Sequence, residues 1–370
     1  MAHGASTETD ELLAYNHNTF DHGDVPPDVT FPLPDEPFVA AWERYMAALA
    51  RQAVLDVLKK PLVQLNFPIR AGISKEPQYL AVMRRGAPLE RCALATGLPL
   101  NRPAEVSLAI RDTPAGRIAL ITVEDREDFE NIVRALTMRN EPGPVPPSMG
   151  ASMVSGFNNW ERIHRYRSEW SAAAPSARGA DDWQAEFQRL IPRRELYQDR
   201  FIIVSTGPYS GVSANNVNLS SDEWARLSVS IRIGHECTHY FTKRVLASMR
   251  NNVMDEIIAD YVGIVEATGR FRADWFRRFM GLQAFPRYTP GGRLENYLGD
   301  PPLTDAAFNV VQALVNSAAQ NLEKSNSFML AHKWTPQRAG QLILALTRLT
   351  LEQLAGPEEH LRAALMRPAL

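Results

Sequence analysis

His235, Glu236 and His239 form an H-E-x-x-H pattern inside a stretch with helical periodicity. Positions i and i+4 of a helix share one face, one turn apart. Two imidazoles so placed can grip one zinc ion, and the glutamate between them can serve as general base. Further on, Glu256 and Asp260 make a second i, i+4 pair within residues 253–267, whose apolar positions also recur at helical spacing. A hydrolytic zinc site takes three protein ligands, leaves one position open, and needs neighbours that orient its histidines. The chain offers His235, His239 and Glu256 as ligands and Asp260 as the orienting carboxylate. Asp255 is a rival third ligand, but it is shorter and breaks the i, i+4 pairing with Asp260. Glu266 lies two to three turns farther on. Cys237 sits about 200° around the helix from His235, so it faces the core. Tyr240 and Tyr261 are turned about 100° from their metal-site neighbours and belong to the core as well.

The form H-E-x-T-H, with Thr238, followed by E-x-x-A-D at 256–260, resembles the gluzincins, the thermolysin-like zinc metallopeptidases. The resemblance spans about residues 221–268. It implies His235, His239 and Glu256 as zinc ligands, Glu236 as general base and acid, and Asp260 behind a histidine. Sixteen residues separate His239 from Glu256, near the short end for that group, which implies a compact core. Gluzincins stabilise the oxyanion with a Tyr or His from outside the motif helix. Tyr297 and His332 are the candidates here, with Arg293 behind them. The resemblance further implies that Phe201–Ser205, or the turn Gly207–Gly211 after it, lines the cleft. Zn2+ is inferred from ligand type, and a His2Glu set also accepts other divalent metals.

The elements that must position these groups can be sketched from pattern. Ser220 and Glu223 read as a capping box, opening a motif helix over about 221–247. The glutamate helix covers about 253–267, and further helices cover about 304–330 and 336–355, the last opened by Thr335-Pro336 and stopped by Gly356-Pro357. Upstream, residues 36–60 read as one helix, and Leu62–Phe67 alternates like a strand. Residues 104–123 read as a hairpin and 125–138 as a helix. Residues 148–160 fit no clean period and read as a packed linker or a loop bordering the cleft. The expected fold class is α+β: a zincin-like metallohydrolase core with a mostly helical C-terminal half and a small α+β N-terminal domain. The expected organisation is a Pro-rich arm over 1–35, the small domain over 36–140, and a catalytic domain over 150–370, divided at the proline run 141–147.

Composition narrows the function classes. A net charge of −2 gives no reason to expect nucleic acid or an anionic membrane as partner. The basic, aromatic stretch 270–279 therefore reads as a helix with a solvated arginine face. Two cysteines are too few for a disulfide framework. The first ten residues show neither a basic nor an apolar leader pattern, and no apolar run reaches the ~18 residues of a membrane span. The expectation is a cytoplasmic, narrow-specificity metallopeptidase acting on a peptide or amide-containing substrate. Zinc hydrolysis of a biosynthetic amide and a catalytically silent zincin-fold binding protein are the alternatives.

Overall fold

The computed structural model of the chain describes residues 2–26, 28–173, 180–248, 252–330 and 333–366. Its strands are β1 (Ser107–Arg111), β2 (Ile118–Val123), β3 (Ala151–Asn158) and β4 (Gln198–Ser205). Its helices begin with α1 (Ala2–Tyr15), α2 (Val39–Ala48), α3 (Val54–Leu58), α4 (Pro77–Arg85), α5 (Arg126–Thr137), α6 (Trp160–Ala172) and α7 (Ala180–Leu190). They continue with α8 (Ser221–Val245), α9 (Val253–Thr268), α10 (Ala273–Met280), α11 (Asp305–Lys324), α12 (Asn326–Met329), α13 (Pro336–Leu346), α14 (Leu351–Ala355) and α15 (Glu358–Met366). The class is α+β, as expected. The chain forms two compact units: residues 1–34, 113–116 and 207–370 in one, residues 35–112 and 117–206 in the other.

The second unit is built on a mixed sheet of order β1-β2-β4-β3. β1 and β2 pair antiparallel, as the hairpin pattern predicts. β2 then pairs parallel with β4, Ala119 facing Phe201, and β4 pairs antiparallel with β3. The two inner strands are apolar runs buried on both faces, as covered parallel strands require. Trp42 of α2 packs on Phe201 with ring centroids 5.3 Å apart, and Ile132, Val133 and Leu136 of α5 join the same core. Several expectations are corrected here. The proline run 141–147 lies inside this unit, because β3 and β4 pair with the sheet begun by β1 and β2; the division falls at Thr206/Gly207 instead. Residues 151–158 are a strand, not a linker. Its period is hidden by a bulge between Ser155 and Phe157, where Gly156 takes φ +70. Val63–Asn66 is a short 3-10 turn rather than a strand, because the Asn66 side-chain amide donates to the carbonyls of Lys59 and Val63 and curls the segment. The single helix expected over 36–60 is two, since i→i+3 bonds at Leu49 and Arg51 tighten and end the first.

The first unit is helical. Ser220 Oγ accepts from the Glu223 amide and opens α8, a helix of 25 residues. Asn252 caps α9 by accepting from the amides of Met254 and Asp255, and Gly269, at φ +77, ends it. α9 is buried without interruption from Val253 to Val265. It crosses α8 at two glycines: a Cβ on Gly234 would stand 2.8 Å from Gly263 Cα, and one on Gly263 would collide with the Ile231 carbonyl. Thr335 and Pro336 open α13 as expected, Thr335 accepting from the Arg338 amide. The expected loose arm is instead helical over Ala2–Tyr15, and its later residues are fastened: the Phe31 ring packs 5.3 Å from that of Phe241. Among the described residues, no helix is long and apolar enough to cross a membrane.

Candidate metal centre

The close α8–α9 crossing sets the site, because it brings one face of the His-Glu-His helix against the carboxylates that open α9. His235, His239 and Glu256 are all buried, and their ligand atoms lie within 4.8 Å of one another. The two Nε2 atoms are 3.0 Å apart. Glu256 Oε2 lies 3.5 Å from His235 Nε2, and Oε1 lies 3.4 Å from His239 Nε2. Three donors around a tetrahedral zinc, at its usual N and O bond lengths, stand about 3.3 Å from each other. The Nε2 pair, and each Nε2 with its nearest carboxylate oxygen, stand at about that spacing, the two imidazoles facing different oxygens of Glu256.

The opposite ring nitrogens decide whether the cluster could hold a cation. His235 Nδ1 is 2.9 Å from Asp260 Oδ1, and His239 Nδ1 is 3.2 Å from Asp255 Oδ2. An ionised carboxylate only accepts, so each Nδ1 carries the proton and donates. Both Nε2 atoms are then left with lone pairs, facing each other and a carboxylate inside a buried site. Such a cluster is repulsive unless a cation or a proton sits in it. The residues present fit a zinc ion: two imidazoles and a carboxylate, each imidazole held in one tautomer by a carboxylate behind it.

Asp255, the rival third ligand, is thus placed behind His239, where its Oδ1 accepts from Thr242 Oγ1 at 3.2 Å. Glu266 is also turned away and accepts from Trp334 Nε1. Cys237, Tyr240 and Tyr261 are buried core residues. Glu236 is partly exposed, although His235 before it and Cys237 after it are buried. Tyr297 is 7 % exposed, and it lies close enough to the Glu256 carboxylate for burial and that charge together to raise its hydroxyl, so the structure brings it to the site. His332 lies outside the described residues. Phe201–Ser205 does not offer a free edge: its backbone is paired with β2 on one side and β3 on the other.

One residue at the centre of the site was named only as part of a turn. Tyr209 stands in a 3-10 turn, Tyr209–Gly211, and is buried. Its hydroxyl donates to Asp260 Oδ1 at 2.5 Å and accepts from Arg293 at 3.1 Å. Arg293 also donates to Ser210 Oγ and pairs with Asp260 Oδ2. Its guanidinium comes within 4.0 Å of Glu256 Oε2. No local spacing signals Tyr209, since it reaches the site from outside both helices.

Electrostatics follow from burial and charge together. Burial works to raise the Glu256 carboxyl, but His235, His239 and Arg293 outweigh it and hold the group well below the usual carboxylate range. Burial works to depress His239, but Asp255 and Glu256 outweigh it and raise the imidazole. Burial raises both Tyr209 and Tyr297, so both hydroxyls stay protonated and act as donors.

Comparison with known proteins adds the family. A profile described as a "Family of unknown function (DUF7005)" matches residues 2–358. The chain belongs to this family. No curated protein and no solved structure matches it. The metal-centre reading of this DUF7005 chain therefore rests on its own residues and their geometry.

Proposed function

We propose that the chain is a zinc-dependent hydrolase of the metallopeptidase kind, acting on a peptide or another amide. The observation that carries this reading is the triangle of His235 Nε2, His239 Nε2 and Glu256, with both Nδ1 atoms donating to carboxylates. Zinc, when bound, supplies Lewis acidity toward a carbonyl and lowers the pKa of a coordinated water. His235, His239 and Glu256 hold the metal, while Asp260 and Asp255 keep both imidazoles in the ligating tautomer. Glu236 is exposed enough to exchange protons with solvent, and in this role it takes a proton from water and gives it to the leaving nitrogen. Tyr297 is the protonated donor standing at the ligand carboxylate, well placed to face charge developing on an oxyanion. Arg293 balances the negative charge of Asp260 and Glu256. Narrow specificity and cytoplasmic residence are part of the same proposal.

The test is elemental mass spectrometry of the wild type and Glu256→Ala, followed by a peptide-library cleavage screen with Glu236→Gln as control. About one zinc per chain is expected in the wild type and in Glu236→Gln, and little in Glu256→Ala. Cleavage should fall by at least about 100-fold in Glu236→Gln. A wild type that takes up no zinc on reconstitution would sink the reading.

A further inference from the structure

The second unit carries a cavity pair that no part of the hydrolytic site uses. One cavity, of about 880 Å³, and a smaller one, of about 380 Å³, share Gly86, Trp160, His164 and Arg167. Each has the size of a small-molecule pocket. Among the described residues, the smaller cavity is lined by Arg84, Arg85 and Arg167 and by no carboxylate at all. These guanidiniums lie at the surface, Arg84 and Arg85 at the end of α4 and Arg167 on α6. The larger cavity is lined by Glu90, Glu161 and Glu169, of which Glu161 pairs with Arg44 and Arg165 and Glu169 with Arg165. The lining is also aromatic. The Trp160 and Phe187 rings are stacked at 6.2 Å, Trp183 lies 5.9 Å from Phe187, and Arg167 sits 5.1 Å over the Trp183 ring. Gly86, at φ +63, packs directly on Trp160, where a Cβ would stand 2.5 Å from the ring, so Trp160 forms the wall behind His164 and Trp183.

Guanidinium forks match the oxygens of a phosphate, and a cluster of three without a carboxylate favours a dianion. Aromatic faces give a planar ring a place to stack, and they accept a cation over their face as Arg167 already shows. We propose that this unit binds a small aryl or nucleoside phosphate, its phosphate held by Arg84, Arg85 and Arg167 and its ring against His164 and Trp183.

The test is calorimetric titration of the full chain with AMP, phenyl phosphate, adenosine and inorganic phosphate. One of the two phosphate esters should bind saturably, with adenosine and inorganic phosphate each at least about tenfold weaker. A ring partner without phosphate, or phosphate without a ring, loses one half of the recognition. The double variant Arg84→Gln/Arg167→Gln changes only exposed side chains, and it should weaken the ester at least about tenfold with an unchanged circular dichroism spectrum. Trp183→Leu should weaken the ester but not inorganic phosphate. The proposal is overturned if neither ester binds at about millimolar concentration, if adenosine binds as well as AMP, or if the double variant binds as the wild type does. Binding of a single-stranded oligonucleotide without binding of either ester overturns it too.

Discussion

Each compact unit buries a cluster of ionisable side chains, and the two clusters are finished in opposite ways. In the sheet-containing unit, Asp199 is fully buried, and its carboxylate accepts from Arg162 and from the Asn159 side chain, both at 2.7 Å. Arg162 also donates to the carbonyls of Gln198 and Glu195, and the Asn159 amide also donates to Tyr45. The buried charges of Asp199 and Arg162 meet each other, and the cluster ties α6 to β4. In the helical unit, three buried carboxylates, Asp255, Glu256 and Asp260, meet one guanidinium, Arg293, and the cluster stops two positive charges short. Asp255 and Asp260 are served by the histidines, Thr242, Tyr209 and Arg293, yet two imidazole lone pairs and the Glu256 carboxylate converge on one point. Burial alone therefore says little about role. What separates a structural cluster from a binding one is whether the protein's own hydrogen bonds complete it.

The largest effect expected from this contrast is on coupling between zinc and stability. Zinc at about 1,000 times its Kd should stabilise the wild type by about 4 kcal/mol, whereas Glu256→Ala should show almost no zinc-dependent rise in Tm. Equal rises in both proteins would show that zinc is held elsewhere. Arg162→Ala should do the reverse. It leaves Asp199 buried without its charge partner, at a cost of about 3–5 kcal/mol in denaturant melts, with or without zinc. A change below about 1 kcal/mol would mean that the pair is not a closed buried network.

The closed cluster also makes a pH prediction of defined sign. Burial raises Asp199 from its ordinary 3.8, Arg162 opposes it, and the group ends at about 6. Between pH ~4 and ~6 the folded chain then holds a proton that the unfolded chain has released. Unfolding releases that proton, so this contribution to stability is present at low pH and is lost as pH rises through about 6. The shift corresponds to about 3 kcal/mol as an upper order of magnitude. Asp199→Asn lacks the titration, so the stability difference between wild type and variant should move against the wild type from pH 4 to 6 and level off above. A flat difference across that window would refute the assignment.

The same contrast explains how far the sequence could be read. The metal triangle comes from a short stretch of chain, and helical spacing plus side-chain type are enough to place His235, His239 and Glu256 together. The role of Asp255 needed the structure, since being adjacent to Glu256 turns it to a neighbouring face and hence behind His239. Gly234 and Gly263, which let α8 and α9 touch, carry no chemistry that would single them out. Tyr209 and Arg293 reach Asp260 from segments far away in the chain, and no periodicity joins them. The sheet was harder still. The hairpin of β1 and β2 was local and readable, but the β2–β4 pairing spans about eighty residues and β3 was disguised by its bulge at Gly156. A proline run that looked like a domain boundary proved to be a connection inside one unit.

The finest test of the open cluster separates Asp260 from the tyrosine behind it. Asp260→Asn keeps the shape but weakens the acceptor for His235 Nδ1–H, and it should lower zinc affinity by about 10–100-fold. Tyr209→Phe keeps the ring, which packs 5.0 Å from Phe279 with Arg293 over its face at 5.4 Å. It removes only a hydroxyl. Asp260 Oδ1 would still accept from His235, Oδ2 would still pair with Arg293, and Arg293 would still donate to Ser210. The hydroxyl's bonds to Asp260 and from Arg293 are charge-assisted, worth about 1.5–3 kcal/mol for stability, but they leave the His235–Asp260 contact in place, so zinc affinity should fall less than in Asp260→Asn. Competition with a chelating dye, run on both variants, resolves that order. If Tyr209→Phe lost zinc as completely as Glu256→Ala, the hydroxyl would have to be a ligand itself, and the position proposed for the coordinated water would already be filled by the protein.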